Sequence, residues 1–233
     1  RENLYVTQGR VDIFALNHLV TISWICACKH LNFCWQMMGN DEIARTNSVI
    51  NGDRTMSQHI SPDNYLLEWT GIISLESKKS EVRPWRLPFE QKHLFHDELI
   101  KWARMAAGVT INFSSNTSKL KVGGAYSLSS LPGEDSGAWE LWKIKDITLD
   151  LYCDGTYVDS KPALSDNLIE FDGLGSDIKN FQLWLPHMGE FGFKGFEIDQ
   201  GSILKKSNSG PKPVWVAYGD SGTQGVGSEH PHS

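Results

Sequence analysis

Ile147-Thr148-Leu149-Asp150-Leu151-Tyr152-Cys153-Asp154-Gly155 alternates apolar and polar side chains and then breaks on a turn pair. A period of two sends Ile147, Leu149 and Leu151 to one face of a strand and Thr148, Asp150 and Tyr152 to the other. Asp-Gly supports the tight turn that ends such a strand. The same period recurs on both sides of this stretch, in Val109, Ile111 and Phe113, in Leu120 and Val122, and in Phe181, Leu183 and Leu185. Phe191, Phe193, Phe196 and Ile198 continue it around glycines. Pro132-Gly133, Ser165-Asp166-Asn167 and Asp172-Gly173 supply further turns. Many short strands with one covering helix predict a mainly β fold, a β-sandwich of the jelly-roll type. The helix is expected over residues 93–107, where Leu94, Phe95, Leu99, Trp102 and Met105 fall roughly on one side and Gly108 stops it. Pro84-Trp85-Arg86-Leu87-Pro88-Phe89 is too proline-rich for a central strand and predicts an extended edge or a loop.

Working outward, the composition changes at both ends of this unit. Residues 1–60 predict a poorly ordered segment. Glu2-Asn3-Leu4-Tyr5-Val6-Thr7-Gln8-Gly9 is similar to a protease-cleavage tag, residues 13–28 are a candidate leader core without a strong basic cluster before it, and 41–59 read as a polar linker. The folded unit is expected over 61–204, a Lys/Asn/Ser/Gly/Pro linker over 205–213, and a different segment over 214–233. No uninterrupted apolar run reaches the ~18–20 residues of a membrane span. A net charge of −6 over 233 residues argues against a partner held by its phosphate backbone. These features suit a cytoplasmic or a secreted protein equally, with no convincing signal peptide.

Cys26, Cys28, Cys34 and Cys153 form neither a disulfide framework nor a zinc-ligand spacing, so spare thiols are expected and Cys153 reads as a small apolar residue at a strand end. No histidine spacing stands out as a metal site, and no cofactor is expected. His230 and His232 flank Pro231 close to the last residue and read as a solvated pair. His93 and His96 flank the helix start, and His187 follows Pro186 in a turn. The adjacent carboxylates Glu134-Asp135 and Asp97-Glu98 face different ways on a strand or helix, which makes them surface charges.

The chemistry is expected in Pro213-Val214-Trp215-Val216-Ala217-Tyr218-Gly219-Asp220-Ser221-Gly222-Thr223-Gln224-Gly225. A short apolar run of this kind reads as a strand buried on both faces. Gly219-Asp220-Ser221 breaks it at the C-terminal end, where loops of open α/β sheets carry catalytic groups. The block resembles the first conserved block of the SGNH (GDSL-like) hydrolases. Gly222 stands where that family usually carries a bulky aliphatic residue. The resemblance implies that Ser221 is the acyl-accepting nucleophile, that Gly219 and Asp220 shape its turn, and that 214–218 is the first strand of an incomplete α/β, flavodoxin-like hydrolase domain.

A second resemblance covers about 84–201, through Trp85-Arg86-Leu87-Pro88-Phe89, Met105-Ala106-Ala107-Gly108-Val109, Leu151-Tyr152-Cys153-Asp154-Gly155 and Leu183-Trp184-Leu185-Pro186. In that order these are similar to the jelly-roll domain that precedes the catalytic domain in one branch of SGNH esterases. This implies an ester substrate, with an acylated sugar suggested by analogy. The family takes its oxyanion donors from a Gly and an Asn block and its base from an Asp-x-x-His block, all well downstream of the serine. Only the serine block occurs in these 233 residues, so the expectation is a truncated esterase inactive by itself. A non-catalytic carbohydrate-binding or structural sandwich is the alternative, with Trp85 and Trp142 as sugar-stacking rings.

Overall fold

The alternating segments become antiparallel strands. A computed structural model of the protein describes residues 56–127, 147–163, 168–208, 217, 219–226, 228 and 230–232. Its strands are β1 (Ser57–Ile60), β2 (Glu68–Thr70), β3 (Ser74–Lys78), β4 (Glu81–Trp85), β5 (Thr110–Ser115), β6 (Leu120–Ser127), β7 (Thr148–Cys153), β8 (Thr156–Pro162), β9 (Ile169–Phe171), β10 (Lys179–Trp184), β11 (Glu190–Asp199) and β12 (Leu204–Lys205). One six-stranded sheet runs β3-β4-β11-β6-β9, with β1 also on β11; the other runs β12-β5-β10-β7-β8, with β2 also on β5. The expectations for the leader, for Cys26, Cys28 and Cys34, and for Glu134-Asp135 lie outside the described residues.

The apolar half of each alternation faces the space between the sheets. Phe113 of β5 stacks on Phe181 of β10 at 5.0 Å and meets Phe196 of the opposite sheet at 4.9 Å. Ile111, Leu149, Leu151, Leu183, Phe193 and Ile198 are buried in the same cluster. The interval of three between Phe193 and Phe196 marks a bulge: the register of β11 against β6 shifts between Phe193 and Gly195. One extra residue returns Phe196 to the core face. Gly195 takes φ +107 there, and a Cβ on it would lie 2.2 Å from the carbonyl oxygen of Ile60. β7 and β8 turn through Asp154-Gly155 with both φ angles positive, the hairpin geometry that matches strand twist. Cys153, at the end of β7, packs against the core, and burial pushes its thiol up to about 11.

Three expectations change. The helix is shorter than 93–107: a 3-10 turn (Phe89–Leu94) precedes α1 (Asp97–Ala103), and Phe95 between them is extended. His96 caps α1, its Nδ1 accepting from the Glu98 N–H at 3.3 Å, and Met105 already bridges to Glu190 of β11. Trp85 closes a paired strand inside the sheet rather than an edge or loop. Pro84 is tolerated because β4 and β11 pair only at Val82 and Phe193, so its missing N–H is not needed on that side. Regular structure also begins before residue 61, since β1 adds to β11 from Ser57 onward.

At the other end of β11, Asp199 organises the turn after β5. Its Oδ2 accepts from the Ser118 N–H at 2.7 Å, the Ser118 hydroxyl at 2.8 Å, the Thr117 hydroxyl at 3.1 Å and the Lys119 N–H at 3.2 Å. Partial burial raises the pKa of this carboxyl, but the donors together outweigh it and hold the pKa below the ordinary value. A depressed folded-state pKa stabilises the fold above the unfolded value of about 3.9, and that stability is lost as pH falls through the folded value. Asp199→Asn is therefore expected to lower the urea midpoint at pH 6, with the gap from wild type closing below about pH 4. A gap that stays constant from pH 6 to pH 3 would contradict this linkage.

Candidate functional site

Gly-Asp-Ser opens a one-turn helix, α2 (Ser221–Gln224). Asp220 caps it: its Oδ1 accepts from the Gly222 N–H at 2.9 Å and its backbone carbonyl from the Gln224 N–H at 3.1 Å. Gly219 has no substitute here, because a Cβ would lie 1.8 Å from the Thr223 hydroxyl oxygen. Ser221, the first helical residue, is exposed. Gly225 closes the turn with φ +84, and the Val226 N–H reaches back to the Ser221 carbonyl at 2.9 Å. Among the described residues nothing hydrogen-bonds to the Ser221 hydroxyl. The strand expected over 214–218 lies outside the described residues apart from Ala217.

The helix is fastened to the sandwich by one buried side chain. Gln224 donates from Nε2 to the His187 carbonyl at 3.0 Å, and its Oε1 accepts from Arg86 Nη2 at 2.6 Å. The same Arg86 nitrogen donates to the Trp102 carbonyl at 2.7 Å. Val226 packs against the main core. His187 is buried beside Gly225, with the Cδ2 of its ring 3.3 Å from where a Gly225 Cβ would stand. Desolvation lowers the His187 pKa, while the Asp150 charge and the nearby backbone of Ser228 and Gly225 act in the opposite direction. The sequence reading missed Gln224, Arg86 and His187 as a group. The first two sit inside stretches quoted for the resemblance, which was the available signal.

The histidine pair departs from its solvated reading. Asp150 of β7 is fully buried although it occupies the polar position of the alternation. Its Oδ1 accepts from the Thr148 hydroxyl at 2.8 Å and the Ser160 hydroxyl at 2.5 Å, and its Oδ2 pairs with His232 Nδ1 at 2.5 Å. His230 Nδ1 lies 3.7 Å from Oδ1 and 3.3 Å from the Ser160 hydroxyl. The two rings stack at 5.3 Å, with Tyr152 and Tyr157 against His232. Segment 230–232 thus covers the outer face of β7, which no local pattern announces.

Trp85 is also corrected. It is 3% exposed, lies in a satellite cluster with Ala103 and Phe89, and donates from Nε1 to Glu76. Lys92 and Arg104 stand over its ring at 6.0 and 5.8 Å, so no face is open for a sugar. Trp142 lies outside the described residues.

Residues 67–194 match the family model of the SsfX3 N-terminal domain. The fold is similar to that of the salicylyl-acyltransferase SsfX3 from a tetracycline biosynthetic pathway, with a TM-score of 0.58 and 25% identity over 67% of this chain and 43% of that one. It is also similar to a Bacteroides ovatus protein described as a GDSL-like lipase, with a TM-score of 0.50 and 17% identity over 67% of this chain and 45% of that one; this second likeness is one of fold alone. The chain therefore spans less than half the length of either solved relative. No curated protein sequence matches it.

Proposed function

Because this chain belongs to the SsfX3 N-terminal domain family, we propose that it is the accessory sandwich, of jelly-roll type, and nucleophile block of an SGNH-type acyl-transferring enzyme. Ser221 is the acyl acceptor. The observation that carries this is the placement of α2: an exposed serine at its first position, a capping Asp220 before it, and Gln224 fastening it to the sandwich.

The reaction has two halves. The Ser221 oxygen adds to the ester carbonyl carbon while a base takes its proton; the resulting oxyanion collapses, the alcohol leaves and acyl-Ser221 remains. Water or a second alcohol then attacks the acyl carbon and restores the serine. This chain's own groups position the nucleophile: Asp220 consumes the Gly222 N–H, Gly219 admits Thr223, and Arg86 and the His187 carbonyl hold Gln224. Base and oxyanion donors come from the rest of the parent enzyme. SsfX3 is an acyltransferase by name, which supports an acyl ester as the substrate class here; an acylated carbohydrate is our narrower proposal.

The test is in two parts. The 233-residue chain is expected to cleave p-nitrophenyl acetate no faster than its Ser221→Ala variant. Serine-dependent turnover would overturn its role as an accessory portion. In the parent enzyme, a fluorophosphonate is expected to label Ser221, and labelling that persists in Ser221→Ala would overturn the nucleophile assignment. The sugar-binding alternative has lost Trp85 as its platform.

A further inference from the structure

We propose that Asp150, His230 and His232 form a binding site for a divalent transition metal of the zinc class, clipping segment 230–232 onto β7. The reading stands apart from the esterase proposal, since it involves neither Ser221 nor Gln224.

Three donors converge from sequence-distant places. One ligand atom from each residue can be chosen so that all lie within 4.8 Å of one another. Both imidazoles turn Nδ1 toward the same carboxylate, His232 at 2.5 Å from Oδ2 and His230 at 3.7 Å from Oδ1. Two neutral imidazoles and one carboxylate are a donor set used by zinc and its neighbours, with a fourth position open to water.

The support behind the carboxylate is built as well. Thr148 and Ser160 both donate their hydroxyls to Oδ1, which orients the group, leaves Oδ2 to His232 and keeps His230 on the Oδ1 side. Such outer hydrogen bonds fix a metal-binding carboxylate in place. Electrostatics points the same way. Asp150 is fully buried, and among the described residues no lysine or arginine is paired with it. A buried carboxylate requires a compensating charge. A divalent cation supplies it while leaving both imidazoles neutral.

Zinc chloride is the probe. After treatment with chelator, the 233-residue chain is expected to bind one more zinc ion than its His230→Ala/His232→Ala double variant, both folded by circular dichroism. Comparing the two cancels zinc taken up elsewhere, for instance by Cys26, Cys28 or Cys34. Cobalt(II) in the same position is expected to give a visible ligand-field band that the double variant lacks. Asp150→Asn keeps the side-chain shape and is expected to weaken binding at this position at least tenfold. His230→Gln provides a milder change, with the same direction of effect, if the double variant does not fold. Equal zinc stoichiometry in wild type and a folded histidine variant would overturn the site, as would an increment unaffected by Asp150→Asn. In either case the histidines serve the carboxylate only as hydrogen-bond partners.

Discussion

Phe113→Ala is expected to cost about 3–5 kcal/mol of folding stability, the range for removing a large aromatic from a packed core. Phe113 is fully buried, stacked on Phe181 with planes 15° apart, and in contact with Phe196 across the sandwich. It touches both layers, so neither sheet can close the void by moving alone. Native domains hold roughly 5–15 kcal/mol in all, so this loss consumes a large share. Urea unfolding followed by tryptophan fluorescence measures it. A loss below about 1 kcal/mol would mean that the aromatic stack is not the link between the layers.

The second large effect is expected at Glu190. This carboxylate is 3% exposed at the first position of β11, with Arg104 Nη2 at 2.6 Å and Arg83 Nη1 at 3.0 Å on its Oε2. Arg83 keeps a second partner in Glu81 at 2.7 Å, so Arg104 is the cation left stranded when Glu190 is neutralised. Breaking a buried pair from one side costs about 3–5 kcal/mol, and Glu190→Gln should fall near the low end because both arginines reach solvent. Combining it with Arg104→Met should recover part of that loss, since no uncompensated charge remains. Strict additivity of the two substitutions would show that the pair is not coupled. The effect should persist in high salt, which screens exposed pairs far more than buried ones.

Much of the sandwich is legible in local sequence because the signal is local. Alternation alone sends Ile111, Phe113, Leu149, Leu151, Phe181 and Leu183 inward, and all are buried. Asp154-Gly155 marks its hairpin through backbone conformations that few residue pairs adopt. What the pattern misses depends on contacts between distant segments. Asp150 reads as solvent-facing until residues 230–232 cover it. Thr110 and Asn112 alternate correctly and yet are buried, joined by a 3.0 Å hydrogen bond. Periodicity extends the helix to residue 107, but the extended Phe95 and the His96 cap set its start, and beyond the Arg104 cap Met105 already bridges to Glu190, which leaves seven α-helical residues. Pro84 discouraged a strand that a single shared residue pair with β11 permits.

Gln224 carries a consequence for anyone recombining such proteins. Its amide spans two landing points, a guanidinium from Arg86 and a carbonyl from the turn at His187, each set by the sandwich rather than by the serine block. A chimera that exchanges one layered module for another must reproduce both at the same height. Otherwise the amide loses its sockets and the serine turn loses its footing. The serine turn and the sandwich are therefore not interchangeable parts joined by a string, because one amide ties them together.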